Sequence, residues 1–465
     1  MSRGRTSRGR GRPGFTAGAP KARPLLKTTD EGSPIRINGA MVGANSDRWI
    51  DPFLTANDVA LDRLGLAPEV RSSGGIHLEL RPSGTIGAVP LLAPDTRRVA
   101  AGVLVEPRFR WSALGDVMSA VRFSVAPTLG GGALVPGSAR EVPSWLVAGP
   151  VVRRLEGLLA HRRSSFVERS ELRRSPRGQV QWGTWARRQV PTGQWASLPC
   201  RFSDLSDDPD LMAAVRWTLR RLEGDLSGDS STGPARVLRR RIDALLLQTG
   251  EGPAVRPQSE VRTFDSWVAD AVEAMGWVAE ERGLGGARSL DGLAWDLVVA
   301  ELWEEWVRSF TRDLAPRLGL VAPSDAEVRR PLRWSGAIVS MGSLAPDVGL
   351  FGAERTVWLD AKYKAHLTLL SRHGWGGLGE RVREAHRADL HQALAYAALA
   401  DVDRIDSLLV YPSLRASDLP DPHAAATVAS GNRRVRLILA ALPFGFPTPA
   451  QKEATLNRWR DLLVA

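Results

Sequence analysis

The sequence predicts a mixed α/β fold (multi-domain α+β), and three observations lead to that prediction. The chain has 465 residues, of which 43% are hydrophobic, so it is long enough for two or three domains with their own cores. Residues 356–362 are rich in the β-branched and aromatic side chains that strands favour. Residues 293–310 have the length and period of a mostly buried helix, and a second helical segment runs to about residue 400, before a strand at 405–411.

The most informative stretch for chemistry contains Pro346-Asp347 and, after twelve intervening residues, Asp360-Ala361-Lys362. Side chains alternate between the faces of a strand, so Asp360 and Lys362 point the same way. The run from 345 to 351 is apolar around Asp347 and is followed by a turn-like segment at 352–355, which predicts an antiparallel hairpin. Such a hairpin brings Asp347 beside Asp360.

Two converging carboxylates repel each other unless a cation lies between them, and oxygen ligands suit a hard ion. We therefore expect Mg²⁺ as the cofactor, with Mn²⁺ as a substitute. Lys362 would offer a positive charge to water or to a phosphate, so the set points to metal-dependent cleavage of phosphodiesters. The alternative is a surface hairpin with an ordinary Asp/Lys pair.

Two helical segments accompany this hairpin. In the later one Asp389, Gln392 and Tyr396 project from one face, because residues at i, i+3 and i+7 share a side of a helix. This polar stripe either reaches the nucleic acid or the site, or is simply the solvated side of an amphipathic helix. The earlier segment carries Glu304, which either completes the metal site or forms an i,i+4 pair with Arg308 on a solvated face.

The order of helix, hairpin, helix and strand resembles the PD-(D/E)XK nuclease core. Residues 302–307 (Leu-Trp-Glu-Glu-Trp-Val), 360–364 (Asp-Ala-Lys-Tyr-Lys) and Asp389-x-x-Gln392 are similar to the signatures of McrC-type restriction subunits. The resemblance implies a nuclease domain at 286–465, with a central mixed sheet flanked by helices. The resemblance also implies roles for individual residues. The catalytic residues are Asp347, Asp360, Lys362, Glu304 and Gln392, the metal ligands are Asp347, Asp360 and Ala361, and the nucleic-acid contacts include Tyr396 and Lys364.

The resemblance extends into the front of the chain. Residues 84–89 and 103–109 resemble the amino-terminal β region of McrC-type proteins, and residues 177–208 resemble their middle segment, which leads into a long helix at 210–222. It implies a β-rich partner-docking domain at 46–165 and a mostly helical linker domain at 166–285. The family usually has Asn-Arg near the start of the long helix, whereas Asp210-Leu211-Met212 stands here, which weakens any role assigned to those positions.

No Gly-x-x-x-x-Gly-Lys-Ser/Thr phosphate loop occurs in the sequence, so the chain is not expected to be an NTPase motor. The resemblance implies a separate AAA+ GTPase (McrB-like) hexameric motor that translocates DNA, within a modification-dependent restriction or phage-defence complex. Two alternatives remain open. One is a motor-independent PD-(D/E)XK nuclease in DNA repair, and the other is a non-enzymatic DNA-binding or motor-activating adaptor.

Charge is concentrated at the amino terminus. Eight of the eleven net positive charges lie in residues 1–29, and residues 1–45 are predicted to form a disordered Arg/Gly-rich tail. Its arginines could contact nucleic-acid phosphates, and they are Arg3, Arg5, Arg8, Arg10 and Arg12. The alternative is a dispensable leader.

The remaining composition favours a cytoplasmic protein without a membrane segment. Cys200 is the single cysteine, which excludes an internal disulfide and a cysteine-based zinc cluster. No apolar run approaches the ~20 residues of a membrane helix, and the amino terminus lacks the apolar core of a signal peptide. The seven histidines show no ligand spacing, and the tryptophans, Trp182 and Trp185 among them, are expected to serve packing.

Overall fold

The computed structural model has a mixed α/β architecture. It describes residues 23–44, 48–72, 75–162, 165–206, 208–228, 232–257, 265–280, 291–332, 334–335, 341–413, 424–430 and 433–464. Within these ranges the chain forms twelve α-helices and five β-sheets. Among the same residues, no helix combines the length and apolar character needed to cross a membrane.

The front of the chain contains most of the strands of the first large sheet. Its elements are β1 (Leu25–Thr29), β2 (Ile35–Ile37), α1 (Ile50–Arg63), β3 (Ala67–Arg71), β4 (His77–Arg81), β5 (Thr85–Leu92), β6 (Val99–Glu106), α2 (Arg110–Ala120), β7 (Thr128–Val135) and α3 (Ser144–His161). Strands β2, β4 and β3 form a small antiparallel sheet. The segments 84–89 and 103–109, expected to belong to a β-rich region, overlap β5 and β6, whose mostly buried side chains lie in the interior of the large sheet.

The middle of the chain combines a three-stranded sheet with long helices. Its elements are β8 (Ser165–Arg173), β9 (Gln179–Val180), α4 (Trp182–Thr184), a π-helical turn (Trp185–Gln189), β10 (Leu198–Ser206), α5 (Pro209–Ser227), α6 (Gly233–Thr249) and α7 (Ser266–Ala279). Helix α5 confirms the helix predicted at 210–222. It begins where Asp208 accepts hydrogen bonds from the amides of Asp210 and Leu211, an N-cap followed by Pro209 in the first turn.

The last part of the chain contains the second large sheet. Its elements are β11 (Gly292–Val298), α8 (Val299–Leu314), α9 (Asp325–Val328), β12 (Arg330–Pro331), β13 (Ser343–Leu344), β14 (Val348–Phe351), β15 (Arg355–Ala361), α10 (His366–His373), α11 (Glu380–Ala397), β16 (Arg404–Ser413), β17 (Ala424–Ser430), β18 (Arg433–Pro443) and α12 (Pro449–Val464). The sheet order is β14-β15-β16-β18-β17. Strands β15, β16 and β18 are parallel to one another, and both edge strands are antiparallel to their neighbours.

The predicted helix at 293–310 is correct only from Val299 onward. Residues 292–298 form β11, which joins the front sheet in the order β1-β6-β5-β11-β7 and pairs antiparallel with β5 and β7. Asp296 in β11 accepts a 2.8 Å hydrogen bond from Arg63 Nε of α1. A short apolar run fits a strand or a helix, and here the pairing with two neighbouring strands decides the outcome.

Helices cover both faces of the second sheet. On one face, the Trp303 and Trp306 indoles of α8 donate hydrogen bonds to Val410 O (3.2 Å) and Pro443 O (2.9 Å). Leu359 and Ala361 of β15 belong to the same hydrophobic cluster as α8, so they face an apolar layer. On the other face, Trp358 of β15 packs with residues of α11. Strand β15, which carries the candidate motif, is therefore fixed from both sides.

The amino-terminal tail is described only in part. Strands β1 and β2 lie within the stretch 1–45 that we expected to be disordered, and β1 pairs in parallel with β6. Residues 1–22 lie outside the described residues. The predicted nucleic-acid contacts in that segment therefore remain predictions, and they are Arg3, Arg5, Arg8, Arg10 and Arg12. The predicted domain boundaries also remain predictions.

Candidate functional site

The two predicted carboxylates lie at the end of the β14–β15 hairpin. Val348 pairs with Leu359, so Asp347, one residue before the strand, lies opposite Asp360 near the end of β15. The Ala361 amide donates a 2.7 Å hydrogen bond to Asp347 Oδ2, which fixes that carboxylate. Asp360 is only 3% exposed. The expected hairpin is confirmed, and it places both acids at one end of the sheet.

Lys362 completes the motif from the same side as Asp360. Its Nζ lies 2.7 Å from Asp360 Oδ2 and donates a 2.8 Å hydrogen bond to Gln392 Oε1 on α11. Gln392 Nε2 in turn donates to the Tyr396 hydroxyl over 2.6 Å, and that hydroxyl donates to Ala345 O over 3.3 Å. The polar face of α11 is therefore directed at the site, and it orients the lysine.

The electrostatics of the carboxyl pair differ from those of ordinary surface acids. Burial, followed by the neighbouring charge of Asp347, raises the pKa of Asp360 to about 7. Burial and the charge of Glu304 raise the pKa of Asp347. Burial alone would lower the pKa of the Lys362 ammonium, but the surrounding carboxylates outweigh it and the net shift is upward. Negative charge is thus crowded at this point with one ammonium to balance it.

Glu304 on α8 contributes to the same cluster. It is half-buried, and burial raises its pKa, opposed by the charge of Arg308 and increased by that of Asp360. Arg308 donates a 2.5 Å hydrogen bond to Glu305, and both Arg308 and Arg312 line a cleft of about 570 Å³ that includes Asp347. The cleft gives solvent and ligands a route to the Asp347 side of the site.

The donor set fits a hard divalent cation. The charge of Asp347 raises the pKa of Asp360, that of Glu304 raises the pKa of Asp347, and that of Asp360 raises the pKa of Glu304, as happens when no positive ion separates carboxyl groups. Oxygen donors of this kind suit Mg²⁺ better than a nitrogen- or sulfur-binding metal. The role of the Ala361 carbonyl oxygen as a ligand remains a prediction, since the observed contact of this residue is through its amide.

A second set of buried groups lies beside the motif and was missed by the sequence reasoning. Lys364 Nζ donates hydrogen bonds of 2.8 and 3.0 Å to the two oxygens of Asp389. His366 and His386 lie next to the same carboxylate, and ligand atoms of the three residues are within 4.8 Å of one another. No spacing in the sequence signals this set, because His386 comes twenty positions after His366. The helical register of His386 with Asp389 was the only available clue.

The residue after Lys362 connects the site to the front sheet. The Tyr363 hydroxyl donates a 2.5 Å hydrogen bond to Asp30 Oδ2, just after β1, and the Arg108 amide donates to Asp30 Oδ1 over 2.6 Å. The Arg108 guanidinium also lies 4.4 Å above the Tyr363 ring. Burial raises the pKa of Asp30 despite these contacts. The link joins the motif to the sheet predicted to dock a partner.

The expectation that tryptophans serve packing is wrong for Trp182, which is 60% exposed. Its ring meets Trp185 edge to face at a centroid distance of 5.8 Å, and the Trp185 indole donates to Trp195 O over 3.1 Å. The short helix α4 that holds Trp182 contacts β10 of the small three-stranded sheet.

No model of a known protein family matches the chain, and no curated protein matches it either. Among solved structures, the chain is similar to one from the refined half-complex of a tetradecameric assembly of Thermococcus gammatolerans McrB AAA+ hexamers with bound McrC. The identity is 12% and the TM-score 0.41, over 95% of this chain and 100% of that one. It is also similar to a chain of the cryo-EM structure of the Thermococcus gammatolerans McrBC complex, with 10% identity and a TM-score of 0.25 over 62% of this chain and 88% of that one. Both TM-scores are low, so the function proposed below rests on the residues of the site.

Proposed function

We propose that this chain is a Mg²⁺-dependent DNA endonuclease subunit that cleaves phosphodiester bonds at the Asp347, Asp360 and Lys362 cluster. One observation carries the proposal. The buried carboxyl group of Asp360 and the half-buried one of Asp347 meet at one end of a strand pair, with a lysine ammonium 2.7 Å from Asp360 and a third acid on the neighbouring helix. The acids of an ordinary surface hairpin are exposed to water, so burial does not raise their pKa values.

Asp347, Asp360 and Glu304 would hold the metal ion. When bound, Mg²⁺ polarises the phosphate and lowers the pKa of an attacking water. Asp347 is already oriented by the Ala361 amide, so its carboxylate needs no rearrangement. Glu304, a half-buried carboxylate on the neighbouring helix whose pKa burial raises, is a candidate to accept a proton from the attacking water.

The other residues position and balance charge. Lys362 keeps its proton, because the carboxylates around it raise its pKa, and it presents a donor to a phosphate oxygen. Gln392 holds the lysine, and Tyr396 holds Gln392. Lys364, which is 37% exposed, would leave Asp389 to meet the DNA backbone.

The proposal includes a partner. We propose that a separate AAA+ GTPase motor delivers the DNA, and that the front sheet docks the motor, within a modification-dependent restriction or phage-defence complex. The support is the sequence similarity to McrC-type subunits at 302–307, 360–364 and 389–392, together with the absence of a phosphate loop from the sequence. The Asp30–Tyr363 hydrogen bond gives that sheet a direct contact with the motif.

The test is a cleavage assay on double-stranded DNA with Mg²⁺, with and without the candidate motor and GTP. We expect Asp360→Ala to abolish cleavage, by at least about a thousandfold, because it removes a metal ligand. The same variant should still stimulate GTP hydrolysis by the motor, since the front sheet is intact.

Glu304→Gln and Glu301→Gln form a matched pair on α8, because Glu301 is exposed and one turn away. Cleavage should fall in the first and persist in the second. Undiminished cutting by Asp360→Ala would refute the site. Cleavage that does not require the motor would be consistent with the proposed site and would refute the proposed dependence on a motor.

A further inference from the structure

We propose that His366, His386 and Asp389 form a second metal site that takes Zn²⁺ or a similar transition metal. Each residue offers one ligand atom, and the three atoms lie within 4.8 Å of one another. All three side chains are buried, with exposed fractions of 9%, 2% and 4%. Two imidazoles and one carboxylate are the donors that zinc prefers, whereas Mg²⁺ prefers oxygen alone.

The secondary structure brings these ligands together. His386 and Asp389 are three residues apart on α11 and therefore share a face of that helix. His366 is the first residue of α10, a short helix that begins four residues after Lys362. The His366 and His386 rings meet nearly perpendicular, at a centroid distance of 5.8 Å and an angle of 82°. A bound ion would tie α10 to α11.

His366 provides the observation that points to a ligand. Its Nδ1 is buried and lies 3.5 Å from Asp389 Oδ2, and it has no hydrogen-bond partner of good geometry among the described residues. A buried polar atom without a partner costs about 1–3 kcal/mol. Coordination of a cation shared with Asp389 would remove that cost.

The surroundings of His386 resemble those of a ligating histidine. The Tyr411 hydroxyl lies 3.2 Å from His386 Nδ1. Histidines that bind metals commonly engage a polar neighbour through their second ring nitrogen, which fixes the tautomer and the ring orientation. Tyr411 is fully buried at the end of β16, so it can hold the ring in place.

Lys364 competes for the same carboxylate. Its Nζ contacts both oxygens of Asp389 at 2.8 and 3.0 Å, and Lys362 Nζ lies 4.0 Å from Asp389 Oδ1. The Lys364 side chain is 37% exposed and can turn into water when a cation binds. Bonds of about 2.0–2.1 Å in a tetrahedral site place ligand atoms about 3.4 Å apart. The donors, which lie within 4.8 Å of one another, therefore need to approach by at most about 1.4 Å.

The test measures Zn²⁺ binding by the full chain, stripped with a chelator and returned to buffer with excess Mg²⁺ to occupy the carboxylate pair. We expect one tightly bound Zn²⁺ per chain, a rise in melting temperature with Zn²⁺ concentration, and visible absorption from tetrahedral Co²⁺ when cobalt is used instead. His366→Ala and His386→Ala should each lose the bound ion. His391→Ala, an exposed histidine on the same helix, should retain it.

Lys364→Met keeps the proposal testable if the histidine variants do not fold. Removal of the competing ammonium should tighten Zn²⁺ binding by at least about tenfold. The proposal is overturned if the wild type binds no stoichiometric Zn²⁺ in the presence of Mg²⁺, or if affinity is unchanged in folded His366→Ala and His386→Ala. Unchanged or weaker binding by Lys364→Met also overturns it. Asp360→Asn should bind Zn²⁺ normally, so the result is independent of the proposed nuclease activity.

Discussion

At the scale of single residues, the raised pKa of Asp360, about 7, makes metal binding depend on pH. Mg²⁺ must displace a proton from this carboxyl group, so we expect affinity to rise about tenfold per pH unit below pH 7 and to level off above it. Calorimetric titration with Mg²⁺ between pH 5.5 and about 8.5 checks this. Affinity that does not change across pH 7 would contradict it.

The raised pKa of Asp360 also makes the stability of the metal-free protein depend on pH. Because the folded-state pKa of Asp360 lies above its unfolded value, the folded state binds more protons than the unfolded chain between pH 3.8 and about 7. The contribution of this group to the free energy of unfolding is therefore fully present at low pH and is lost as the pH rises through 7. In Asp360→Asn that slope should disappear from urea unfolding curves recorded across the window.

Gln392 holds Lys362, so its effect on catalysis should be smaller than that of the lysine. A hydrogen bond to a charged group contributes about 1.5–3 kcal/mol. Gln392→Leu should therefore slow single-turnover cleavage about 10–100-fold, whereas Lys362→Met should slow it more. His391→Leu, at the adjacent exposed position, serves as the control. Equal losses in Gln392→Leu and His391→Leu would mean that disruption of the helix, and not the hydrogen bond, is responsible.

At the scale of elements, Asp406 holds the start of three strands together. The carboxylate is 2% exposed and accepts 2.6 Å hydrogen bonds from Arg355 of β15 and from Arg436 of β18. Removal of one partner of a buried ion pair costs about 3–5 kcal/mol, and water that still reaches the arginines places Asp406→Ala at the low end. Urea unfolding measures the loss, and the exposed Asp403→Ala should leave stability within about 0.5 kcal/mol.

The elements differ in how well they could be predicted from the sequence. The hairpin and the two helices that flank it were predictable, because apolar periodicity and alternation are local signals. Strand β11 was not, because its apolar run is fixed by pairing with β5 and β7, whose residues are remote in sequence. The His366 and His386 pair was missed for the same reason, since the fold, not their spacing, brings them together.

At the scale of the whole molecule, the Asp30–Tyr363 hydrogen bond joins the front sheet to the candidate site. Tyr363→Phe leaves a buried carboxyl group that has lost one donor, which should lower the free energy of unfolding by about 1–3 kcal/mol. If motor docking acts on the site through this hydrogen bond, motor-dependent cleavage by Tyr363→Phe should fall further than the loss of stability alone explains. Tyr411→Phe, another buried tyrosine near the site, is the control. Equal effects on cleavage in the two variants would argue against a specific connection.

The position of β11 also bears on how the protein is made. The chain emerges from the ribosome amino terminus first, so β5, β6 and β7 are synthesised long before the strand that lies between β5 and β7. Until residue 298 has emerged, the front sheet has a gap with unpaired backbone groups on both sides. The residue that closes the gap is followed at once by the helix that carries Glu304. The front sheet is therefore complete before the second large sheet has been synthesised. A gene fragment that ends before β11 encodes neither complete sheet.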